Sequence, residues 1–302
     1  MRSSSLSRPL FMALLSLVGI LLGCEPEPTA STFSDQVNDA GSVSADVISS
    51  LDGAPSGGAP YTGAWAMATD WSVCVTIGSR IETRSRKLLL VTMTRKGNRL
   101  IEQRKVCQLK LTPIFGLKTE VPDVVLQSMP LLDVESRLLG EGSDEVAYSG
   151  GIEAQVIGVK MVNPVYDAMP SKDQPSDPRL TDPEGDGHPG ASFVVGGGCY
   201  LYVAQREVSR LAGRLVSQDR FEGTGVHATE QVVFGASKAV CGQTYKTFSN
   251  TPHHHFVLQR VNTAAWDDDK DGDVTCAELV AHQADLITWA KPDDTRCPKV
   301  EP

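Results

Sequence analysis

The sequence predicts a mainly β protein, an antiparallel sandwich or barrel of roughly ten strands followed by an acidic loop and one helix. From Tyr61 onward, short runs rich in Val, Ile, Thr and Tyr are interrupted by Gly, Pro, Asn and Asp, which is typical of antiparallel strands and their turns. Helical periodicity is confined to the C-terminal end. The candidate strands are 64–68, 72–81, 88–94, 100–111, 152–162, 192–204, 208–216, 220–234, 239–248 and 255–261.

Length and composition favour a globular body and argue against one class of partner. The chain has 302 residues, of which 41% are hydrophobic, so it is long enough to bury a large core. Its formal net charge is −9. Because phosphate binding needs a basic surface, we expect no nucleic acid partner.

The N-terminus carries a signal for export. Arg2 and Arg8 precede an apolar run at residues 9–22, which is shorter than the roughly 20 residues that a membrane-spanning helix needs. The run ends in L-L-G-C at residues 21–24 and resembles the lipobox of bacterial lipoproteins. The resemblance implies that the signal peptide 1–23 is removed and that Cys24 is lipidated, which anchors the chain in a lipid bilayer. Cleavage elsewhere, as in an ordinary secreted protein, is the alternative.

The residues after Cys24 bear on localisation and on domain boundaries. Glu25 is similar to the residue that directs lipoproteins to the bacterial outer membrane, and the resemblance leaves open whether the periplasmic or the surface face is occupied. Residues 24–60 are rich in Pro, Ser, Ala, Gly and Asp, with Phe33 as their only aromatic residue, which predicts a flexible linker. We expect an all-β domain at 61–262 and a C-terminal unit at 263–302.

The cysteine count predicts disulfides. With Cys24 assigned to lipid, six of the seven cysteines remain, and an even number in an exported protein indicates paired thiols. Several connectivities are possible, and we favour pairing of nearest neighbours in the sequence. That pattern joins Cys74 to Cys107, Cys199 to Cys241, and Cys276 to Cys297.

Residues 267–278 read D-D-D-K-D-G-D-V-T-C-A-E and place carboxylates at alternate positions of a short loop. A hard divalent cation needs six to eight oxygen ligands, and alternate side chains of a tightly curled loop supply them. Gly272 permits the sharp turn. The pattern resembles the calcium-binding loop of EF-hand proteins. The resemblance implies a Ca²⁺ site formed by Asp267, Asp269, Asp271, the carbonyl of Asp273, Thr275 directly or through water, and both carboxylate oxygens of Glu278.

The flanks of this loop differ from the EF-hand pattern. Apolar residues at three-to-four spacing predict an amphipathic helix at 277–290, which Pro292 ends. Upstream, the sequence predicts a strand with at most one helical turn at 262–266, so the entering helix is short or missing. The partner loop that EF-hands pair with is also absent nearby. We therefore expect no calcium-driven helix opening.

A second acidic stretch lies in a long loop at 164–190. Asp182, Glu184 and Asp186 precede Gly187 with the same spacing as the first half of the C-terminal loop, and we expect a weaker second metal site there. The stretch resembles acidic segments of exported lipoproteins of myxobacteria. The position that should supply the closing carboxylate is Phe193, so a solvated acidic turn is the alternative.

Three other features have two interpretations each. Gly63, Ala64 and Trp65 resemble the G-x-W of lipocalins, which implies a barrel around an apolar ligand, whereas a core tryptophan is the alternative. The glycines at 196–198 predict a bulge or barrel corner within a strand, or close approach of a ligand. The histidines at 253–255 predict either an exposed strand edge or a transition-metal site in which alternate side chains share a face.

The motifs expected of common enzymes are missing from the sequence, and oxidised cysteines cannot act as nucleophiles. We therefore expect no enzymatic activity. The sequence predicts a lipid-anchored, exported calcium-binding protein in which calcium is mainly structural, with a binding or envelope-structural role. The alternative is a lipocalin-like barrel that carries a small apolar ligand.

Overall fold

The computed structural model of the chain describes residues 61–77, 79–114, 116–140, 146–242 and 247–298. The predicted signal peptide, Cys24 and the linker lie outside these residues. The described chain is mainly β, and its twelve strands belong to one antiparallel sheet, which confirms the predicted fold class. The strands are β1 Gly63–Ile77, β2 Ser79–Lys96, β3 Arg99–Leu111, β4 Thr119–Glu120, β5 Leu132–Leu139, β6 Ala147–Ser149, β7 Glu153–Ile157, β8 Ala191–Val195, β9 Cys199–Ser217, β10 Arg220–Ala236, β11 Thr247–Ser249 and β12 His255–Arg260.

Helices are short and lie outside the sheet. They are α1 Asp123–Ser128, α2 Thr263–Trp266, α3 Cys276–Ala281 and α4 Gln283–Leu286, with 3-10 turns at Ala239–Cys241, Thr251–His253 and Asp294–Arg296. None of the helices in the described ranges is long and apolar enough to cross a membrane.

The sheet closes on itself. Its strands follow the order β10, β12, β1, β2, β3, β5, β6 and β9, and β9 pairs in turn with β10. These strands therefore form a closed ring, which is the barrel of the protein. Beyond the closed part, β9 pairs with β7 and β8 instead of β6, and β1 pairs with β11 instead of β12. Closure removes free strand edges, which would otherwise pair with other chains.

Several predicted strand boundaries are wrong for identifiable reasons. The candidates 64–68 and 72–81 belong to one long strand, β1, and to the start of β2. The candidate 192–204 contains the end of β8 and the start of β9, because Gly197 and Gly198 adopt positive φ angles of 83° and 71° and form a tight turn. This turn replaces the predicted bulge within a strand. The described residues of the candidate 239–248 form a 3-10 turn and part of β11.

Strand β5 was not predicted, because its charged residues obscure the alternation of apolar and polar side chains. Leu132, Val134, Ser136 and Leu138 face inward and are buried, while the residues between them are exposed. This period of two is the pattern of a strand with one face on the core. The inward Ser136 and the outward acidic residues reduce the apolar contrast on which the sequence prediction depends.

Large side chains fill the closed part of the ring. Trp65 packs against Phe221 with ring centroids 5.9 Å apart, and Tyr148 packs against Phe221 and Phe256 at 5.6 and 5.8 Å. Each fully buried side chain of this kind contributes roughly 1.5–3 kcal/mol to stability. Gly213 lets the Phe256 ring pack against the backbone of β9, because a Cβ atom at this position would lie 2.7 Å from Cζ of Phe256. The ring interior is therefore a packed core in this region.

The C-terminal unit covers the outer face of β1 and β2. Ala66 and Ala68 of β1 and Leu88 of β2 point away from the ring and are fully buried. Together with residues of the C-terminal unit they form the outer apolar cluster. The residues contributed by the C-terminal unit are Trp266, Val274, Leu279, Leu286 and Ile287. Strand β1 is thus buried on both faces, and its outer burial depends on the segment that carries the acidic loop.

Three disulfides join the six cysteines, as expected, but two of the favoured pairings are wrong. Cys199 pairs with Cys241 as predicted. Cys74 pairs with Cys297, and Cys107 pairs with Cys276. Cys74 and Cys107 lie on β1 and β3, which β2 separates by two strand spacings, about 10 Å, whereas disulfide Cα atoms lie within about 7 Å. Both cysteines instead reach outward to the C-terminal unit.

The predicted helix at 277–290 differs from the structure. It divides into α3 and α4 at His282, and the chain becomes extended at Ile287, where φ is −149°. The extended course lets Ile287 join the apolar cluster on the barrel, and it lets the backbone N–H of Ala290 donate to Asp70 Oδ2 at 3.1 Å. Packing against the barrel therefore outweighs the helical periodicity. The single helical turn expected upstream is α2.

Candidate calcium site

The acidic loop between α2 and α3 gathers three predicted ligands. Asp267, Asp269 and Asp271 each direct a carboxylate oxygen into one group whose atoms all lie within 4.8 Å of one another. Three like charges at this separation repel one another unless a cation lies between them. The arrangement supplies three of the roughly six to eight oxygen ligands that a hard divalent cation takes.

The loop backbone curls around these carboxylates. Gly272 N donates to Asp267 Oδ2 at 2.9 Å, Asp271 N to Asp267 Oδ1 at 3.2 Å, and Asp273 N to Asp271 Oδ1 at 2.9 Å. Gly272 has a φ of 101°, and Lys270 has a φ of 62°, the left-handed conformation that non-glycine residues rarely adopt. The sequence thus folds locally as the glycine and aspartate spacing predicts.

Glu278 closes the loop from the first turn of α3. Its Oε2 accepts hydrogen bonds from N and Oγ1 of Thr275, both at 2.8 Å, and its Oε1 accepts from Asp268 N at 2.8 Å and Asp269 N at 3.3 Å. Thr275 Oγ1 in turn caps the helix by accepting from Glu278 N, which completes a capping box. Backbone N–H donation from Thr275 contributes most to lowering the pKa of Glu278 to about 2.

Five of the six predicted ligands fall into two groups. The three aspartates converge, while Glu278 and Thr275 bond to each other across the end of the loop. The side chain of Asp273 is exposed, as expected for a residue that offers only its carbonyl. The donor set is all oxygen and anionic, so it fits Ca²⁺. The ion would be held by the aspartate group, whereas both carboxylate oxygens of Glu278 accept hydrogen bonds from protein groups.

Both ends of the loop are fixed to the barrel. Trp266 just before the loop is buried in the outer apolar cluster, and so are Val274 and Leu279 at the other end. Cys276 at the start of α3 is bonded to Cys107 of β3. His282 after α3 bonds back to Asp268 Oδ1 at 3.0 Å, and this contact is the largest cause of a raised His282 pKa. The conformation of the loop and the position of the C-terminal unit on the barrel therefore depend on each other.

The second acidic segment repeats the backbone geometry of the first. Gly187 N donates to Asp182 Oδ2 at 2.8 Å, Asp186 N to Asp182 Oδ1 at 3.1 Å, and His188 N to Asp186 Oδ1 at 2.9 Å. Gly185 and Gly187 have positive φ angles of 70° and 82°, at the positions that Lys270 and Gly272 occupy in the first loop. The matching spacing has therefore produced a matching turn.

The side chains of the second segment are used differently. Ser192 donates from Oγ to Asp186 Oδ2 at 2.6 Å and from N to Glu184 Oε1 at 2.8 Å. Partial burial is the main cause of a raised Glu184 pKa, and bonding to Ser192 is the main cause of a lowered Asp186 pKa. Phe193, where a closing carboxylate would stand, is buried in the core. Neighbouring protein groups already satisfy much of this carboxylate set.

The histidine cluster does not form the arrangement that a strand would give. His253 ends a 3-10 turn and His255 begins β12, so the two do not alternate along one strand. His254 between them is buried, with Nδ1 2.8 Å from Gly225 O and Nε2 3.0 Å from Ser72 O. Burial lowers the pKa of His254 to about 4. This residue joins β1 to β10 just before the start of β12.

Sequence reasoning missed a set of buried charges inside the ring. Arg104 contacts Glu102 Oε2 at 2.6 Å and also pairs with Glu153, and its Nη2 donates to Tyr148 Oη at 2.7 Å. Elsewhere in the interior, Lys87 pairs with Glu207. Charged residues within strands usually indicate a solvated face. The available signal was parity, because Glu102 and Arg104 occupy the same alternate positions of β3 as the inward Leu100 and Val106.

Comparison of the chain with protein-family models, curated proteins and solved structures gave no match. The described residues form an antiparallel β ring with a C-terminal unit fixed over its outer face by two disulfides.

Proposed function

We propose that the chain is a lipid-anchored, exported calcium-binding protein in which calcium holds the C-terminal unit against the β barrel. The convergence of Asp267, Asp269 and Asp271 carries this proposal, because it occurs in a loop whose flanking residues are bonded and packed onto the barrel. Binding would neutralise the aspartates and lock the loop. Calcium would therefore stabilise the outer cover of β1.

The expected affinity supports a structural role for the ion. Extracellular calcium sites of this chemistry bind at about 10⁻⁴ to 10⁻³ M, so such a site is largely filled at millimolar calcium outside the cell. Helix α2 before the loop has four residues, which is too short to act as a lever. A site that stays filled and moves no long helix stabilises and does not signal.

The wider biological role follows from the predicted processing. A lipidated Cys24 and the linker 24–60 would tether the barrel to the bacterial outer membrane, and the acidic net charge of −9 disfavours nucleic acid as a partner. We propose a binding or envelope-structural role without catalysis. In the carrier alternative, the ring would hold an apolar ligand, but Trp65, Phe221 and Phe256 occupy the closed part of its interior. This packing supports the structural role over the carrier role.

A thermal melt with and without calcium tests the proposal. With a dissociation constant near 10⁻⁴ M, about 2 mM calcium stabilises the folded state by about 1–2 kcal/mol. For a domain of this size we expect the melting temperature to rise by roughly 2–6 °C relative to protein in excess chelator. Asp269→Asn combined with Asp271→Asn should abolish the rise, because the amides keep the hydrogen-bonding shape but lose the charge.

The matched control is Asp123→Asn combined with Asp173→Asn, which removes the same charge from two exposed positions elsewhere. This control should retain the full calcium-dependent rise. An equal rise in both double variants would show that calcium acts through general charge screening and would contradict the proposal. No rise in the unsubstituted protein would contradict it as well.

A further inference from the structure

Three polar side chains meet inside the ring, away from the calcium loop. Lys87 lies on β2, Gln155 on β7 and Glu207 on β9, where Glu207 stands directly opposite Gln155 in the strand register. Their exposed fractions are 2%, 4% and 5%, so all three are buried. Strands β2 and β7 are not hydrogen-bonded neighbours, and the contact between Lys87 and Gln155 therefore crosses the interior.

The contacts place an amine, an amide and a carboxylate together. Lys87 Nζ lies 3.2 Å from Gln155 Oε1 and is ion-paired with Glu207 Oε1. Trp71 Nε1 donates to the same Glu207 oxygen at 3.3 Å, and His227 Nε2 lies 3.6 Å from Glu207 Oε2. The side-chain amide nitrogen of Gln155 is buried without a hydrogen-bond partner. Such an orphaned donor is uncommon in folded proteins and calls for an explanation.

We propose that Lys87 and Gln155 form a spontaneous covalent cross-link, an amide bond between Lys87 Nζ and Gln155 Cδ, with Glu207 as the proton carrier. The ammonium of Lys87 gives a proton to the Glu207 carboxylate, and the neutral amine attacks Cδ. Glu207 then passes that proton to Gln155 Nε2 as the Cδ–Nε2 bond breaks. The Nε2 group leaves as ammonia and takes up the second proton of the attacking nitrogen, so the balanced products are an amide, a carboxylate and ammonium.

The site is suited to this reaction in four ways. Conversion of Lys87 to an amide removes a charge from the buried interior. The amide nitrogen that leaves is the one that lacks a partner, so the reaction also removes a buried, unsatisfied donor. The N–H of the new amide remains beside Glu207 Oε1 and can donate to it. Folding supplies the proximity that makes an otherwise slow aminolysis feasible.

The cation in this buried cluster is a lysine, whereas arginines supply the cation in other buried ion pairs. Where an arginine supplies the cation of a buried pair, as Arg84, Arg104 and Arg206 do, the group is a guanidinium that does not lose its proton in proteins. Lys87 is the only lysine among the buried residues of the described chain. Unlike these arginines, Lys87 can become a nucleophile, and its amine contacts a carboxamide.

Peptide mapping tests the cross-link independently of calcium. Trypsin cleaves after Arg86, Arg95, Arg137 and Lys160 but not at an acylated Lys87. The folded, disulfide-bonded protein, reduced and digested, should therefore yield peptide 87–95 joined to peptide 138–160. The mass of the joined species should be about 17 Da below the sum of the two peptides, the loss of one ammonia.

Two variants distinguish the cross-link from a simple ion pair. Lys87→Arg keeps the charge beside Glu207 but removes the nucleophile, so the joined species should vanish and peptide 138–160 should appear alone. Glu207→Gln keeps both reacting groups, and the joined species should form far more slowly after refolding. Recovery of peptides 88–95 and 138–160 separately from unsubstituted protein that melts cooperatively would overturn the proposal. A full yield of joined species in Glu207→Gln would overturn the role of Glu207.

Discussion

Replacing Arg104 with methionine should destabilise the protein by about 3–5 kcal/mol, because it leaves buried carboxylates without their partner. Arg104 pairs with Glu102 and Glu153, and the side chains of Arg104 and Glu102 are 1% and 0% exposed. Methionine fills most of the volume, so the loss reports mainly on the unpaired charges. The measurement is urea unfolding, with the free energy of unfolding extrapolated to zero denaturant.

Arg99→Met is the matched control, since it makes the same change on the same strand. Arg99 pairs with Glu135 at the surface, where the two side chains are 50% and 44% exposed. Exposed ion pairs contribute about 0–1 kcal/mol, so we expect a loss of at most about 0.5 kcal/mol. Similar losses of stability for the two variants would show that the buried carboxylates of Glu102 and Glu153 do not need Arg104 as their partner.

Removing the disulfide beside the calcium loop should have the second large effect. Cys107→Ser combined with Cys276→Ser opens a cross-link between residues separated by 169 positions, and chain-entropy arguments give a loss of about 4–5 kcal/mol. The loop would also lose its fixed end on β3. We therefore expect weaker calcium binding, measured by titration calorimetry, together with the lower free energy of unfolding.

The control for this prediction is Cys199→Ser combined with Cys241→Ser. That disulfide closes a shorter segment, with a sequence separation of 42, and does not involve the C-terminal unit. We expect a smaller loss of stability and unchanged calcium affinity. Unchanged affinity in the Cys107→Ser, Cys276→Ser variant as well would mean that the disulfide plays no part in ordering the loop.

Local pattern was sufficient to predict the fold class but not the closed ring. The β-branched runs and turn residues predict antiparallel strands, and the long hairpin of β9 and β10 follows from such signals. Closure depends on β12 inserting between β1 and β10, which are far apart in the sequence. The residue pattern of a single strand does not indicate which distant strand it pairs with.

The candidate site shows the same division between local and non-local information. The spacing of Asp267, Asp269, Asp271 and Gly272 fixes the loop conformation, because each hydrogen bond spans only a few residues. The partners of Cys107 and Cys276 could not be predicted, since they depend on where the C-terminal unit lies on the barrel. The buried Lys87, Gln155 and Glu207 come from three strands and meet only after the ring has formed.

Hydrogen–deuterium exchange of the C-terminal unit tests the central claim most directly. With calcium, amides in residues 263–287 should exchange more slowly than in excess chelator, while amides of β9 and β10 should be unaffected. The Asp269→Asn, Asp271→Asn variant should show fast exchange in both conditions, and the Asp123→Asn, Asp173→Asn control should behave like the unsubstituted protein. Equal exchange of residues 263–287 with calcium and with chelator would contradict the claim that calcium holds this unit on the barrel.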